Sequence, residues 1–352
     1  MNNMKTLFIG GTGTISTAIS KQILEQGGEL FLLNRGSRNT VLDAPGKPGK
    51  LVEIAGDIRT ESVELITQKL KAALGDEQRF DVAADFIAFT AEHAAKDYAI
   101  FKDMCKQYMF ISSASAYQKP LSSYLITEST PLANPYWEYS RNKIACEEFF
   151  TAKYRENGFP VTIVRPSHTY DERSIPLGVH GSNGTWQVVK RMIEGKQVII
   201  HGDGASLWTM THNSDFARGF TGLMGNIHAI GEAVHITSGE SQSWNQIYQI
   251  IANALNVPLQ AVHISSDFLA QCGPYDFTGS LTGDKANSVV FDNTKLKRLV
   301  PGFCAHVRLD QGIRNTISHV LSRREYQIED PEFDAWCDKI IAARERSLTE
   351  LR

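Results

Sequence analysis

The sequence predicts an α/β fold, a doubly wound parallel sheet with a smaller C-terminal lobe that is discontinuous in sequence. Three observations predict it. Short, continuous apolar runs alternate with helix-patterned stretches through the first half, the pattern of parallel strands covered by helices on both faces. A glycine-rich turn follows the first apolar run directly. The alternation stops after Pro166, where a polar, glycine-rich stretch begins.

In order, "KTLFIG" reads as the first strand and "STAISKQILEQG" as a helix ending at Gly27. "GELFLLNRG" and "LVEIAGD" are the second and third strands, and "ESVELITQKLKAAL" is amphipathic. "FDVAADFIA" is the fourth strand, "YAIFKDMCKQ" a helix and "YMFISSASAY" the fifth strand. "NKIACEEFFTAKYRENG" is helical and "PVTIVRP" the sixth strand. Beyond Pro166, "TWQVVKRMIEG" reads as helix, "QVIIHGDG" as strand, and "AVHITS" as a late strand returning to the sheet. The expected division is a dinucleotide-binding domain over residues 1–167 and about 209–240, with a substrate lobe over 168–208 and 241–352.

The 352 residues, 42% hydrophobic and 21% charged, are ordinary for a globular chain and enough to bury a core without staples. A formal net charge of -3 gives no electrostatic reason to expect nucleic acid or an anionic membrane as partner. The five cysteines are odd in number and form no CxxC pair, which fits reduced thiols. With no leader pattern and no apolar run near ~20 residues, a cytoplasmic location is expected. No histidine pair has a close metal-ligand spacing such as HExxH, and no metal is expected.

"GGTGTIS", residues 10–16, follows the first strand and opens the first helix. A turn without side chains there lets backbone N–H groups approach a pyrophosphate, and the helix N-terminus adds favourable partial charge. Gly10, Thr12, Gly13, Thr14 and Ile15 are the candidate contacts, and Ser16 takes the position of a third glycine. The second strand ends in Asn34 where an acid binds the ribose of NAD in such folds, and Arg35 and Arg38 follow. Guanidinium groups suit a 2′-phosphate, so NADP is expected, with NAD as the alternative. Asp57 and Ile58, after the third strand, are candidates to face the adenine.

"WEYSRNK" places Tyr139 and Lys143 four residues apart on one helical face. A phenol is a poor base at neutral pH, and a nearby cation is expected to lower its pKa. Together "GGTGTIS", "ISSASAY", "YSRNK" and "IVRPSHTYD" resemble the extended short-chain dehydrogenase/reductase family, of the epimerase/dehydratase type, over roughly residues 4–260. The resemblance implies a Rossmann fold. Its catalytic set is Tyr139 as proton carrier, Lys143 also holding the nicotinamide ribose, and Ser113 at the reacting oxygen, with Ser112 and Ser115 as close competitors. It sets Asp85, Phe86 and Ala88 along the cofactor path, and Arg165, Pro166, Ser167 and His168 by the nicotinamide.

The implied activity is an NAD(P)-dependent oxidation, reduction or epimerisation at a secondary alcohol or carbonyl, on a sugar-like small molecule. A homodimer is the expected assembly. Ser115, Trp137 and Trp208 are substrate-side candidates, with Tyr136 beside them. The pattern departs from sugar-nucleotide members twice. Ala114 and Ser115 follow Ser113 where 4,6-dehydratases carry Asp-Glu. Trp208 and Thr209 stand where an arginine-aspartate pair clamps a diphosphate, and Arg173, Lys190 and Arg191 are candidate compensating cations. A second resemblance, to the atypical chloroplast stem-loop-binding branch ("NRG", "DFIAFT"), implies instead a non-catalytic, RNA-binding-like protein. The net negative charge and the presence of both Tyr139 and Lys143 count against it.

Overall fold

The computed structural model describes residues 4–36 and 48–351. Its centre is a parallel sheet of β1 (Lys5–Ile9), β2 (Glu29–Asn34), β3 (Lys50–Ala55), β4 (Phe80–Asp85), β5 (Cys105–Ile111), β6 (Val161–Pro166) and β7 (Ala233–Ile236). The seven strands lie in the order β7-β6-β5-β4-β1-β2-β3, so the sheet is the doubly wound Rossmann type. The order reverses between β1 and β4, which opens a crevice at their carboxyl ends.

Burial on both faces explains the unbroken apolar strands. Leu7 and Ile9 of β1 join one core cluster with Phe31, Ile66 and Phe110, whereas Phe8 between them joins another with Ile19, Leu32 and Phe220. A third core cluster, built on Trp208, Trp244, Ile313 and Phe333 among others, fills the C-terminal part. The strand expected at "QVIIHGDG" is present as Val198–His201, but it pairs in parallel with Ala261–Ile264 in a separate two-stranded sheet.

The helices that carry the argument are α1 (Thr14–Glu25), α2 (Val63–Leu74), α3 (Ala91–Phe101) and α4 (Glu138–Asn157). One expectation needs correction. The stretch 98–107 is not all helix: α3 ends at Phe101 and β5 begins at Cys105. Cys105 and Gln107 are buried and Lys106 is exposed, so inward and outward positions alternate with the period of a strand. Partnership with β4 then decides, as Phe80 pairs with Cys105 and Val82 with Gln107.

Helix α4 is unusual in what it buries. Ser140, Lys143, Cys146, Glu147 and Phe150 recur at helical spacing and face inward. Two of these five carry formal charge, so each needs a partner. Glu147 accepts from Arg165 Nη2 at 2.6 Å and Nε at 2.9 Å, a two-pronged contact along one guanidinium edge, and from the Ser112 hydroxyl as well. Gly158 ends the helix in the left-handed region, at φ 65°.

Candidate active site

The glycine loop sits at the sheet's switch point. Gly10 has φ +80°, and a Cβ there would meet Ile87 Cγ2, in the segment after β4, at 2.6 Å. A Cβ at Gly11 would meet Leu32 at 2.5 Å. Ser16 is buried and ties the loop: its hydroxyl donates to Gly10 O at 3.1 Å and accepts from Gly13 N–H at 2.9 Å. The third-glycine position therefore holds a serine that braces the turn. Thr12, Gly13, Thr14 and Ile15 are partly open around the N-terminus of α1. Gly10→Ala is expected to cost about 1–2 kcal/mol of stability, because an L-residue is strained at positive φ. Thermal unfolding checks it, and an unchanged melting temperature would contradict the strain.

At the far end of the crevice, the side-chain amide Nδ2 of Asn34 is buried with no hydrogen-bond partner among the described residues. Arg35 is exposed, and its positive charge is one of the influences that hold the Asp57 carboxyl low, the first being the backbone N–H of Arg59. Ile58 is buried beside it. Arg38 lies outside the described residues. A cradle closed to Cβ atoms, an unpartnered amide donor and an open guanidinium are groups that fit a dinucleotide, with Asn34 and Arg35 toward its ribose. Asp85 is otherwise engaged. It is fully buried and accepts from Ile87 N–H at 2.6 Å and from Arg59 at 2.5 Å. Ala88 is buried and serves through its carbonyl.

On α4, the buried ammonium of Lys143 donates to Ala88 O and to Ile111 O, each at 2.7 Å. It also lies 4.7 Å from the Phe89 ring centre and 5.8 Å from that of Tyr139. Burial pulls its pKa down to about 8. The expected lowering of the Tyr139 pKa is not found. Burial raises that phenol above its ordinary value, and only a hydrogen bond with Ser113 pulls the other way. The shift favours the protonated phenol.

Ser113 lies on the site side of the three serine candidates. Ser112 is turned inward to Glu147. Ser115 is buried, 2.8 Å from the Ser113 hydroxyl and 2.8 Å from that of Ser140, and it too reaches the cavity wall. Tyr117 faces away from the site. It is fully buried and bonds to His235 Nδ1 at 3.0 Å and Arg165 at 3.2 Å.

One cavity of about 400 Å³ gathers Ser113, Ser115, Trp137 and Tyr139 with Thr14 and Ile15 from the loop. Pro166, Ser167, His168 and Trp208 line it from the end of β6 and beyond. Tyr136 is exposed and does not line it. Trp208 is almost wholly core. It packs 5.6 Å from Trp244, and its indole N–H donates to His168 Nδ1 at 3.2 Å. An indole can only donate, so that nitrogen of His168 accepts and the other carries the proton. Burial drives the His168 pKa to about 3, so the ring is a neutral donor.

Asp284, Lys285, Val289 and Phe291 complete the wall and are not named by the sequence reading. The first two end a π-helical segment, Thr278–Lys285. Their only signal in sequence is a charged pair in a run of small residues, "TGSLTGDKANS". Among the described residues no cluster of three or more His, Cys, Asp or Glu side chains is placed to hold a metal ion.

The sequence profile of the NAD dependent epimerase/dehydratase family matches residues 6–237. The chain belongs to that family. As a member of it, the protein is an enzyme of the epimerase/dehydratase type. One relative is 2′-dehydrokanamycin reductase of Streptomyces kanamyceticus, 24% identical over 307 residues, covering 86% of this chain and 80% of that one. The chloroplast stem-loop binding protein of 41 kDa b of Arabidopsis thaliana is 23% identical over 262 residues, 72% of this chain and 64% of that one. Among solved structures, UDP-glucuronic acid 4-epimerase of Bacillus cereus, in complex with UDP-glucuronic acid and NAD, superposes with a TM-score of 0.69 at 17% identity. That match covers 91% of this chain and 99% of that one, and it shows the shared fold. Among the described residues no helix is long and apolar enough to cross a membrane, and all five cysteines are free.

Proposed function

We propose that the protein is a cytoplasmic NAD(P)-dependent oxidoreductase that interconverts a secondary alcohol and its carbonyl on a sugar-sized substrate, NADP being the preferred cofactor. The observation that carries this is that Tyr139, Ser113 and the loop residues Thr14 and Ile15 wall one cavity. A nicotinamide bound there supplies or accepts the hydride. Tyr139 gives its proton to the carbonyl oxygen in the reducing direction, and Ser113 hydrogen-bonds that oxygen. Lys143 places a positive charge 5.8 Å from the phenol ring centre, and by resemblance to the family it also holds the nicotinamide ribose. Trp208 and Trp137 shape the wall without adding charge. The relative named as a reductase supports net reduction, and the relatives named as epimerases support transient oxidation at the same site.

Asn34 in place of an acid, with Arg35 open beside it, favours NADP. Arg35→Ala is expected to weaken NADP binding by roughly 1.5–3 kcal/mol, the scale of a charge-assisted hydrogen bond, and to leave NAD binding almost unchanged. Calorimetric titration of both cofactors checks it. Tighter NAD binding by the wild type would reverse the assignment. The reaction itself is tested by screening oxo-sugars and their alcohols for consumption or formation of reduced nicotinamide.

A further inference from the structure

Lys285 belongs to the C-terminal part of the chain yet stands at the catalytic cavity. It also lines a second cavity of about 330 Å³ that shares Thr14, His168 and Thr169 with the first. Its backbone is fixed unusually well. The carbonyl of Lys285 accepts from His201 Nε2 at 3.2 Å, Ser206 Oγ at 3.1 Å and Trp244 Nε1 at 3.2 Å. The π-helical segment it ends is fitted closely to the cavity wall: a Cβ at Gly279 would meet Trp137 Cδ1 at 2.2 Å. Segments of this kind, less favourable than α-helix, occur frequently at functional sites.

The charges around Lys285 do not cancel. Lys119 is buried, and among the described residues its Nζ has no hydrogen bond, with Asp284 Oδ1 at 3.9 Å as its ionic neighbour. Among the described residues the Lys285 ammonium has one hydrogen bond, a long one to Ser280 O at 3.4 Å. With both lysines and the aspartate ionised the cluster carries one net positive charge, and burial, which lowers the pKa of Lys119 and of Lys285 and raises that of Asp284, leaves the ammonium of Lys285 in want of an anionic partner. The nearby rings do not add to it: burial, with Lys285 as a further cause, lowers the pKa of His168 to about 3 and holds that of His180 below its ordinary value. The other cations considered for the substrate are already engaged. Arg173 is bound to Asp171 at 2.5 and 2.7 Å, Arg191 to Asp334 and Asp338 at 2.8 and 2.7 Å, and Lys190 to Glu329 at 2.7 Å.

We propose that Lys285 is a specificity residue that binds a single carboxylate on the substrate, so that the preferred substrate is a hydroxy or oxo acid of sugar size. His168, neutral and with its second ring nitrogen protonated by the bond from Trp208, is a further donor on the same wall. One unit of charge matches one carboxylate. It would leave a diphosphate half neutralised in a low-dielectric site, and it would repel an amino sugar. The inference rests on the cavity being the substrate site proposed above.

The test is a set of binding titrations on the NADP-loaded protein, followed by Trp fluorescence and calorimetry. The probes are D-glucuronate, D-galacturonate and D-gluconate against D-glucose, D-glucosamine and UDP-glucose. At least one acid is expected to bind roughly 10–100-fold more tightly than D-glucose, the range of a charge-assisted hydrogen bond. Lys285→Met is expected to remove that preference while leaving cofactor affinity unchanged, and Lys285→Arg to retain most of it. Equal binding of acids and glucose, no acid binding at all, tighter binding of glucosamine or UDP-glucose, or an unchanged preference in Lys285→Met would overturn the proposal. Tyr139→Phe is titrated alongside. Acid binding that survives in it and in the wild type, with no hydride transfer from any bound acid, defeats the proposed reaction and leaves the carboxylate site standing.

Discussion

Replacing Tyr139 by phenylalanine is expected to lower turnover by roughly 10²–10⁴-fold, the usual contribution of a positioned proton donor. Cofactor affinity and folding should barely change. The ring stays packed 5.1 Å from Trp137 and 6.4 Å from Phe89, and only a hydroxyl facing Ser113 is lost. Because burial raises the Tyr139 pKa, the phenol is protonated in solutions near neutrality, and the reducing direction should be the easier one to observe. Steady-state kinetics on wild type and Tyr139→Phe measure both directions. Wild-type turnover in the variant would remove Tyr139 from the chemistry.

Lys143 should give opposite signs in activity and in stability as pH rises. Its ammonium is lost in the folded protein above about pH 8. Reduction that depends on that charge beneath Tyr139 should then decline, approaching about tenfold per pH unit. Stability moves the other way. The unfolded lysine keeps its proton to its ordinary value near 10.5, the folded one only to about 8. Between those values the unfolded chain binds more protons, so stability rises with pH in that window. The burial penalty is fully present below pH 8 and relieved by pH 10.5. Lys143→Met should lack both trends, because its side chain does not titrate, and its activity should be low at every pH. Paired pH–rate and pH–melting profiles of the two proteins check this. A wild-type rate flat across pH 7–10 would show that the charge on Lys143 is not used.

The first half of the fold was legible because β1, β2 and β4 to β6 are buried on both faces and must be written as continuous apolar runs. The boundary at residues 98–107 was not. There the end of α3 and the start of the central strand β5 lie close together in sequence, and pairing with β4 selects the strand. The glycine turn at Gly10 and the pairing of Tyr139 with Lys143 were legible because their spacing in sequence is their spacing on one turn or one helix face, whereas Ser113 was chosen over Ser112 and Ser115 by the family resemblance alone. Asp284 and Lys285 could not. They reach the cavity through a π-helical segment held by His201, Ser206 and Trp244, three residues distant in sequence. Nothing local to "GDK" states that placement. Trp208, a substrate-side candidate in the sequence, lines the cavity and also fills core: it is buried, and its N–H donates to His168 Nδ1. The electrostatics of the Tyr139–Lys143 pair also lay beyond the sequence. Four-residue spacing brings the two together, but the depth of burial decides which protonation states they hold.

The central claim is that hydride moves between a nicotinamide at the glycine loop and a substrate carbon beside Tyr139. It is tested most directly by single-turnover absorbance of the cofactor-loaded enzyme mixed with a substrate found in the acid and sugar screens. The reduced-nicotinamide signal should rise or fall with formation of product or intermediate. Its rate should drop by roughly 10²–10⁴-fold in Tyr139→Phe while the substrate still binds. Product formed without any change in that signal, or the same rate in Tyr139→Phe, would contradict the account.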